Sequence, residues 1–115
     1  MSETDTVREA LIEMSALGAR MFRNQVGNYA LADGRRIISG LCPGSSDTIG
    51  WTPTLIGPEH IGRTIARFTA IEFKRSGGRE AANQERFGQA VLNAGGIFGF
   101  AYSVEDAVRL IQQRF

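Results

Sequence analysis

The 115-residue sequence contains only one cysteine, Cys42, one histidine, His60, and one lysine, Lys74. A single cysteine excludes an intramolecular disulfide and a zinc site built from cysteines, and it favours a reducing compartment. No apolar run approaches the roughly 20 residues that a membrane-spanning helix needs. The first residues are acidic and lack the basic-then-apolar order of a signal peptide. We therefore expect a cytoplasmic protein without a membrane partner.

The sequence also has almost no excess of charge of either sign, because 13 Lys and Arg residues and 12 Asp and Glu residues give a net charge of +1. This balance excludes a protein that binds nucleic acid by bulk charge alone. The distribution is uneven, however. Residues 1–19 carry a net charge of −3, residues 20–86 carry ten basic and six acidic side chains for +4, and residues 87–115 are neutral. With 43% hydrophobic residues, the chain is expected to form one domain over residues 1–115.

Hydrophobic periodicity predicts an α/β fold. Helical spacing indicates helices over about 7–17, 80–93 and 104–111, while alternation or short apolar runs indicate strands over 35–39, 47–56, 63–74 and 97–102. Residues 20–23 are a further short strand candidate. A strand–helix–strand unit makes its two strands parallel. We predict a mixed β-sheet flanked by helices, in the order α-β-β-β-α-β-α.

The residues with the most chemical content are Asp47, Glu72 and Lys74. Glu72 and Lys74 are two apart on a predicted strand and project from one face, and Asp47 follows a Gly/Ser loop at the start of another strand. Two carboxylates can hold a hard divalent cation, and a neighbouring lysine can orient a water or stabilise phosphate charge. The same residues also fit a surface ion pair and a turn-forming aspartate. The use of lysine here, where arginine serves everywhere else, indicates a need for a compact ammonium.

Six short motifs surround these residues, and their order carries further information. They are Arg23-Asn24-Gln25-Val26-Gly27, Gly44-Ser45-Ser46-Asp47-Thr48-Ile49-Gly50, Ala70-Ile71-Glu72-Phe73-Lys74, Gly78-Arg79, Gln84-Glu85-Arg86-Phe87 and Ala94-Gly95-Gly96. Taken together, they resemble the VRR-NUC (virus-type replication-repair nuclease) family of the PD-(D/E)xK superfamily, over nearly the whole chain. The resemblance implies a restriction-endonuclease-like α/β core. Small stand-alone members of the family are homodimers that cut branched DNA, Holliday junctions in particular.

The resemblance also implies roles for individual residues. Asp47 matches the central metal-binding aspartate, Glu72 the second metal carboxylate, Lys74 the catalytic lysine, and Gln84 a recurrent glutamine that assists at the site.

An early helix glutamate in the family corresponds to Glu3, with Glu9 as the alternative. Together with the backbone carbonyl of Phe73, these oxygens would bind Mg²⁺, or Mn²⁺. The sequence departs from the family in two places. Ser46 stands where a proline is usual, which should loosen the approach to the aspartate, and residues 51–63 form an insertion expected to be a longer hairpin or protruding loop.

The expected function is that of a Mg²⁺-dependent DNA endonuclease acting on four-way junctions, as a homodimer, in DNA recombination or repair in a bacterial or phage-infected cell. Two alternatives remain open: a flap- or nick-directed nuclease, and a non-catalytic DNA-binding module with the nuclease fold. The candidate DNA-contacting residues are Arg20, Arg23, Asn24, Arg35, Arg36, Arg75 and Arg79.

Overall fold

The computed structural model describes residues 2–114 and has a mixed α/β architecture, as predicted at the level of fold class. The chain divides into two compact units, Met1–Thr52 and Pro53–Phe115. The prediction of one nuclease domain over 1–115 stays a prediction. In chain order, the elements are α1 (Glu3–Ala16), β1 (Arg20–Arg23), β2 (Gly27–Ala30), β3 (Arg36–Ser39), β4 (Thr48–Trp51), a 3₁₀ helix (Pro58–His60), β5 (Thr69–Phe73), α2 (Ala82–Asn93), β6 (Ile97–Ala101) and α3 (Val104–Ile111).

Helix α1 opens the first unit and has well-defined ends. The Ser2 hydroxyl accepts a hydrogen bond from the Asp5 backbone N–H (3.1 Å), which caps the helix N-terminus. The helix ends at Ala16, and its C-cap Leu17 is followed by Gly18 at φ +94°, a backbone conformation that suits glycine. Contacts run from α1 to β1, so the helix lies against the start of the first strand pair.

Two antiparallel strand pairs complete the first unit. Strands β1 and β4 pair so that Arg23 lies opposite Thr48, which brings Asp47, the residue before β4, next to the end of β1. Strands β2 and β3 form a hairpin in which Tyr29 lies opposite Ile37. Its turn contains Gly34 at φ +88°, in the segment Ala32-Asp33-Gly34.

The second unit is built on a parallel pair, β5 and β6, joined by α2. The register places Ala70 opposite Phe98 and Glu72 opposite Phe100, so these side chains share one face of the sheet. Helix α2 covers this face, because a methyl group at Gly88 would meet the ring of Phe98. Gly99 faces the other side and lies against Leu110 of α3. The strand pair is therefore enclosed by one helix on each face.

The best-buried hydrophobic side chains of residues 2–114 all belong to this second unit. They are Val91 on α2 and Ile97 and Ala101 on β6, each 5% exposed or less. Burying these apolar groups beneath two helices is what holds the parallel pair together. No helix formed by residues 2–114 has both the length and the apolar character that crossing a membrane demands.

The element order differs from the prediction in the number and extent of strands. Five strands separate the first two helices, against three in the predicted order and four with the further candidate at 20–23, and the strands of the described chain pair as three two-stranded sheets rather than one mixed sheet. Strand β2 was not predicted, because Gly27 and the following polar residues show little alternation.

The strands predicted over 47–56 and 63–74 are both too long. Strand β4 ends at Trp51, just before Pro53, which cannot donate to a ladder. Strand β5 begins only at Thr69, so the alternating residues 63–68 are not in a strand despite their pattern. The predicted insertion over 51–63 therefore spans the boundary between the two units and contains the short 3₁₀ helix.

Candidate functional site

Glu72, Lys74 and Gln84 meet on the α2-covered face of the second unit. The Gln84 amide Nε2 donates a 2.8 Å hydrogen bond to Glu72 Oε1. The Lys74 ammonium Nζ lies 3.7 Å from the same Oε1 atom. Both contacts fall on Oε1, so the carboxylate keeps lone pairs with which it could bind a cation. The structure thus brings together three of the four residues predicted to be catalytic.

The local sequence explains why these side chains meet. Glu72 and Lys74 alternate along the strand and project to the same side, as predicted. Gln84 lies in the first turn of α2, where its Oε1 atom also accepts a hydrogen bond from the Ala81 backbone N–H (3.2 Å). This bond at the helix N-terminus points the amide nitrogen at Glu72, since the oxygen is already engaged. Gln84 is therefore a positioning residue for Glu72 rather than an ordinary residue of the helix surface.

Burial makes the Glu72–Lys74 pair more than a surface ion pair. The Lys74 side chain is only 17% exposed and that of Glu72 is 39% exposed. The Lys74 backbone N–H donates to the Ala101 carbonyl (2.9 Å), which fixes the start of the side chain at the end of the β-ladder. An ammonium held in this way can act on a negatively charged ligand with less screening than an exposed one.

The Phe73 carbonyl lies on the edge of β5 that faces away from β6. The Ile97 N–H donates to the Phe68 carbonyl and the Lys74 N–H donates to the Ala101 carbonyl, so even-numbered residues of this strand bond to β6. By alternation, the backbone groups of Phe73 point to the opposite edge. The carbonyl predicted to be a metal ligand is thus not used in the β5–β6 ladder.

Asp47 belongs to the first unit and is held by its neighbours through the backbone. Its carbonyl accepts a 2.7 Å hydrogen bond from the Asn24 N–H. The Asn24 side chain donates to Ser45 Oγ (2.7 Å) and to the Ser46 carbonyl (2.9 Å), and accepts from the Leu41 N–H (2.8 Å). These three bonds engage the Asn24 amide in the loop that leads to Asp47. Asn24 therefore positions that loop, and the DNA contact predicted for it stays a prediction.

The loop before Asp47 has a defined shape, although Ser46 replaces the proline usual in the resembling family. Residues 42–45 form a turn in which Pro43 is followed by Gly44 at φ +83°, the arrangement of a type II turn. The Ser45 N–H and its hydroxyl both donate to the Cys42 carbonyl, at 3.0 and 2.7 Å. The expected loosening at Ser46 is opposed by the Asn24 hydrogen bond to its carbonyl.

Asp47 lines a cleft of about 650 Å³ within the first unit, which we call the Asp47 cleft. Its volume falls in the range of roughly 300–1,000 Å³ typical of ligand-binding pockets. Its lining residues are Arg23, Asn24, Gln25, Val26, Tyr29, Ser39, Ser45 and Asp47. Tyr29 was not identified from the sequence, because its strand was not predicted.

The arginines predicted to contact DNA occupy different settings. In the hairpin, Arg35 is paired with Asp33 (2.6 Å) and Arg36 donates to Asn28 Oδ1 (2.8 Å). Arg20 and Arg23 lie at the two ends of β1, and the Arg23 side chain forms no hydrogen bond or ion pair with residues 2–114. The two arginines that follow β5, Arg75 and Arg79, are both exposed.

The carboxylates predicted to bind metal are divided between the two units. Glu3 and its alternative Glu9 are exposed on α1 in the first unit, with Asp47, while Glu72 belongs to the second. Residues 2–114 contain no group of three or more His, Cys, Asp or Glu side chains placed to hold a metal ion. Each unit thus supplies part of the predicted ligand set.

The phenol of Tyr102, in the second unit, has a raised pKa. The Tyr102 hydroxyl donates to Glu80 Oε2 (3.1 Å). Partial desolvation, the hydrogen bond to Glu80 and the negative charges of Glu80 and Asp106 raise the pKa of the Tyr102 phenol above its ordinary value of 10.0. Tyr102 therefore stays neutral and acts as a hydrogen-bond donor across the physiological range.

Comparison with protein-family models, with curated proteins and with solved structures finds no match to the chain.

Proposed function

We propose that the protein is a metal-dependent DNA endonuclease of the VRR-NUC kind. The observation that carries the proposal is the cluster on β5 and α2, in which one carboxylate oxygen of Glu72 contacts both Gln84 (2.8 Å) and Lys74 (3.7 Å). A carboxylate and an ammonium two residues apart on a strand, with the carboxylate oriented by a helix glutamine, are the parts that phosphodiester hydrolysis uses. A plain surface ion pair has no need of the glutamine or of an 83% buried lysine side chain.

The donors that the resemblance implies are of the kind that a hard divalent cation prefers. The Glu72 carboxylate and the Phe73 carbonyl of the second unit, and Asp47 and Glu3 or Glu9 of the first, all offer oxygen, which suits Mg²⁺ and Mn²⁺. When bound, such a cation would supply Lewis-acid activation and neutralise developing charge on the phosphate. Within its own unit each donor is held by its neighbours: Gln84 orients the Glu72 carboxylate, and the Asn24 network holds the loop before Asp47.

Lys74 has the position to act on the attacking water or on the phosphate. Its ammonium is held beside Glu72 with 17% of the side chain exposed, so it can donate to a ligand without being fully hydrated. Arg75 and Arg79 follow it directly and are exposed, as phosphate contacts would need to be. We assign to Lys74 the positioning of the nucleophilic water and the stabilisation of negative charge at phosphorus.

A restriction-endonuclease-like core is part of the proposal. Its support is the β5–α2–β6 unit, a parallel strand pair with the candidate catalytic strand on one side and a helix on each face.

A homodimer acting on four-way junctions is the most specific part of the proposal. Its support is an apolar stripe on the second unit that remains exposed in the single chain.

Helix α3 offers an apolar stripe suited to such a contact with a second copy. Its outward residues Val104, Val108 and Ile111 follow helical spacing and are 75%, 43% and 58% exposed. A two-fold dimer would place two sites symmetrically, as the symmetric cuts of a junction require. Light scattering at micromolar concentration tests this, and a monomeric protein would contradict it.

The test of the activity is cleavage of labelled four-way junction, flap and duplex DNA with Mg²⁺. The unmodified protein should cut the junction best, and EDTA should abolish cutting. Glu72→Gln and Lys74→Ala should each lower the rate by about 100-fold or more, while Gln84→Ala should lower it less because it acts through Glu72. Glu85→Gln, an exposed glutamate on α2, is the matched control and should cut normally.

The substrate comparison separates the alternatives. Cutting of flaps in preference to junctions would replace the junction assignment by a flap-directed nuclease. Binding of DNA without cutting of any substrate would overturn the nuclease proposal in favour of a non-catalytic DNA-binding module.

A further inference from the structure

The Asp47 cleft contains an aromatic side chain held in a defined position. A Cβ atom at Gly27 would lie 2.5 Å from Tyr29 Cζ and Oη, so the Tyr29 ring lies directly over the glycine. Gly27 and Tyr29 are two apart on β2 and share a face, and only the absence of a side chain at Gly27 lets the ring adopt this position. With 60% of the residue exposed, one side of the ring remains open to a ligand.

The cleft also contains a cation and a carboxylate that do not neutralise each other. Arg23 and Asp47 both line it, yet neither side chain forms an ion pair or hydrogen bond with the described residues 2–114. By contrast, the polar side chains of Asn24, Ser39 and Ser45 are already hydrogen-bonded inside the unit. An open arginine beside an open aromatic face matches a nucleotide, which carries a phosphate and a planar base.

We propose that the Asp47 cleft binds an unpaired nucleotide, with its base stacked on Tyr29 and a flanking phosphate contacted by Arg23. This inference rests on the proposed nuclease function and adds the feature of the substrate that the enzyme reads. A base inside a duplex has both faces covered by its neighbours, so only a base that has left the stack can use the exposed ring. The enzyme therefore selects DNA that contains an unpaired nucleotide.

Binding measured without metal tests the proposal separately from cleavage. Fluorescence anisotropy in EDTA would compare an end-labelled single-stranded oligonucleotide with its duplex and with a strand of equal length that lacks bases. Tyr29→Ala should weaken single-strand binding by about 10-fold, while Tyr29→Phe should bind as the unmodified protein does. On the strand without bases, Tyr29→Ala and the unmodified protein should be equal.

Three further variants separate stacking from charge and from misfolding. Gly27→Ala should weaken single-strand binding without loss of folding, because its φ is not positive and the added methyl displaces only the ring. Ile38→Ala, on the opposite face of the same hairpin and 69% exposed, should leave binding unchanged. Arg23→Ala should reduce the slope of log affinity against log salt by about 1, whereas Tyr29→Ala should leave that slope unaltered.

The outcomes distinguish this inference from the proposed function. Tyr29→Ala binding the single strand as tightly as the unmodified protein would overturn the inference, as would an equal loss on the strand without bases. If the unmodified protein cuts no DNA but shows the Tyr29 dependence, the nuclease proposal fails and base stacking stands. If the unmodified protein cuts junctions while Tyr29→Ala binds the single strand normally, the nuclease proposal stands and base stacking on Tyr29 fails.

Discussion

Substituting Gly88 tests the packing that holds the candidate site together. Gly88 is buried on α2, and a Cβ atom there would lie 2.5 Å from Phe98 Cζ and closer still to Cε2 and Cδ2. The Phe98 ring has little freedom to move aside, because it packs edge-on against Phe100 at a centroid distance of 5.3 Å. Gly88 lies one turn after Gln84, so displacing α2 here also displaces the amide that contacts Glu72.

Two opposing terms decide the sign of the effect of Gly88→Ala. Alanine favours the helix by about 1 kcal/mol over glycine, whereas overpacking a close contact of this kind typically costs about 1–3 kcal/mol. Because the Phe98 ring cannot easily move aside, we expect the cost of overpacking to exceed the gain in helix propensity. The free energy of unfolding should then fall by about 1–2 kcal/mol. This corresponds to a melting temperature lower by about 4–8 °C.

Urea and thermal denaturation would measure the effect, with two matched comparisons. Gln89→Ala, the exposed neighbour on α2, should change the free energy of unfolding by less than about 0.5 kcal/mol. Adding Phe98→Leu to Gly88→Ala should recover part of the loss, which gives a coupling energy of about 1 kcal/mol or more in a double-mutant cycle. The side-chain amide resonances of Gln84 should shift in the single variant. A Gly88→Ala protein as stable as the unmodified one would refute the close packing of α2 on β6.

Two further predictions concern the surroundings of the site. Asn24→Ala removes three hydrogen bonds from the Asp47 loop and should lower the free energy of unfolding by about 1–2 kcal/mol in urea denaturation, whereas exposed Asn28→Ala should have little effect. In absorbance titrations Glu80→Gln should lower the pKa of Tyr102, because two causes of its rise involve Glu80. Since the folded state favours the neutral phenol, the contribution of Tyr102 to the free energy of unfolding is present below pH 10.0 and is lost as the pH rises above that value. A Tyr102 titration that Glu80→Gln leaves unchanged would contradict the role given to Glu80.

The sequence predicts those parts of the fold that depend on local periodicity. Helix α3 begins after Ser103 as predicted, with the Ser103 hydroxyl accepting from the Asp106 N–H (3.1 Å), and β1 covers the predicted 20–23. The strand predicted over 63–74 fails in its first half, because alternation shows only that a segment could form a strand. Whether it does depends on a partner, and β6 pairs with β5 only from Thr69 onward.

The candidate site likewise has parts that follow from local sequence spacing and parts that depend on tertiary packing. That Glu72 and Lys74 share a face was predictable, since a strand alternates with period two. That Gln84 would donate to Glu72 was not predictable from spacing, because it depends on the distance between α2 and the sheet, which Gly88 sets. Asn24 was predicted as a DNA contact on its motif alone, and its three loop bonds appear only once β1 and β4 are paired.

Two glycines have a packing role that hydrophobic periodicity does not predict. Gly27 and Gly88 lie inside a strand and a helix without a positive φ, so conformational freedom does not explain them. Each instead leaves room for an aromatic ring: Tyr29 over Gly27, and Phe98 against Gly88. The Gly-x-Tyr pattern could have revealed the first case, because residues two apart on a strand share a face and a ring can fill the space above glycine. That reading would have predicted both the missing strand and the exposed ring of the Asp47 cleft.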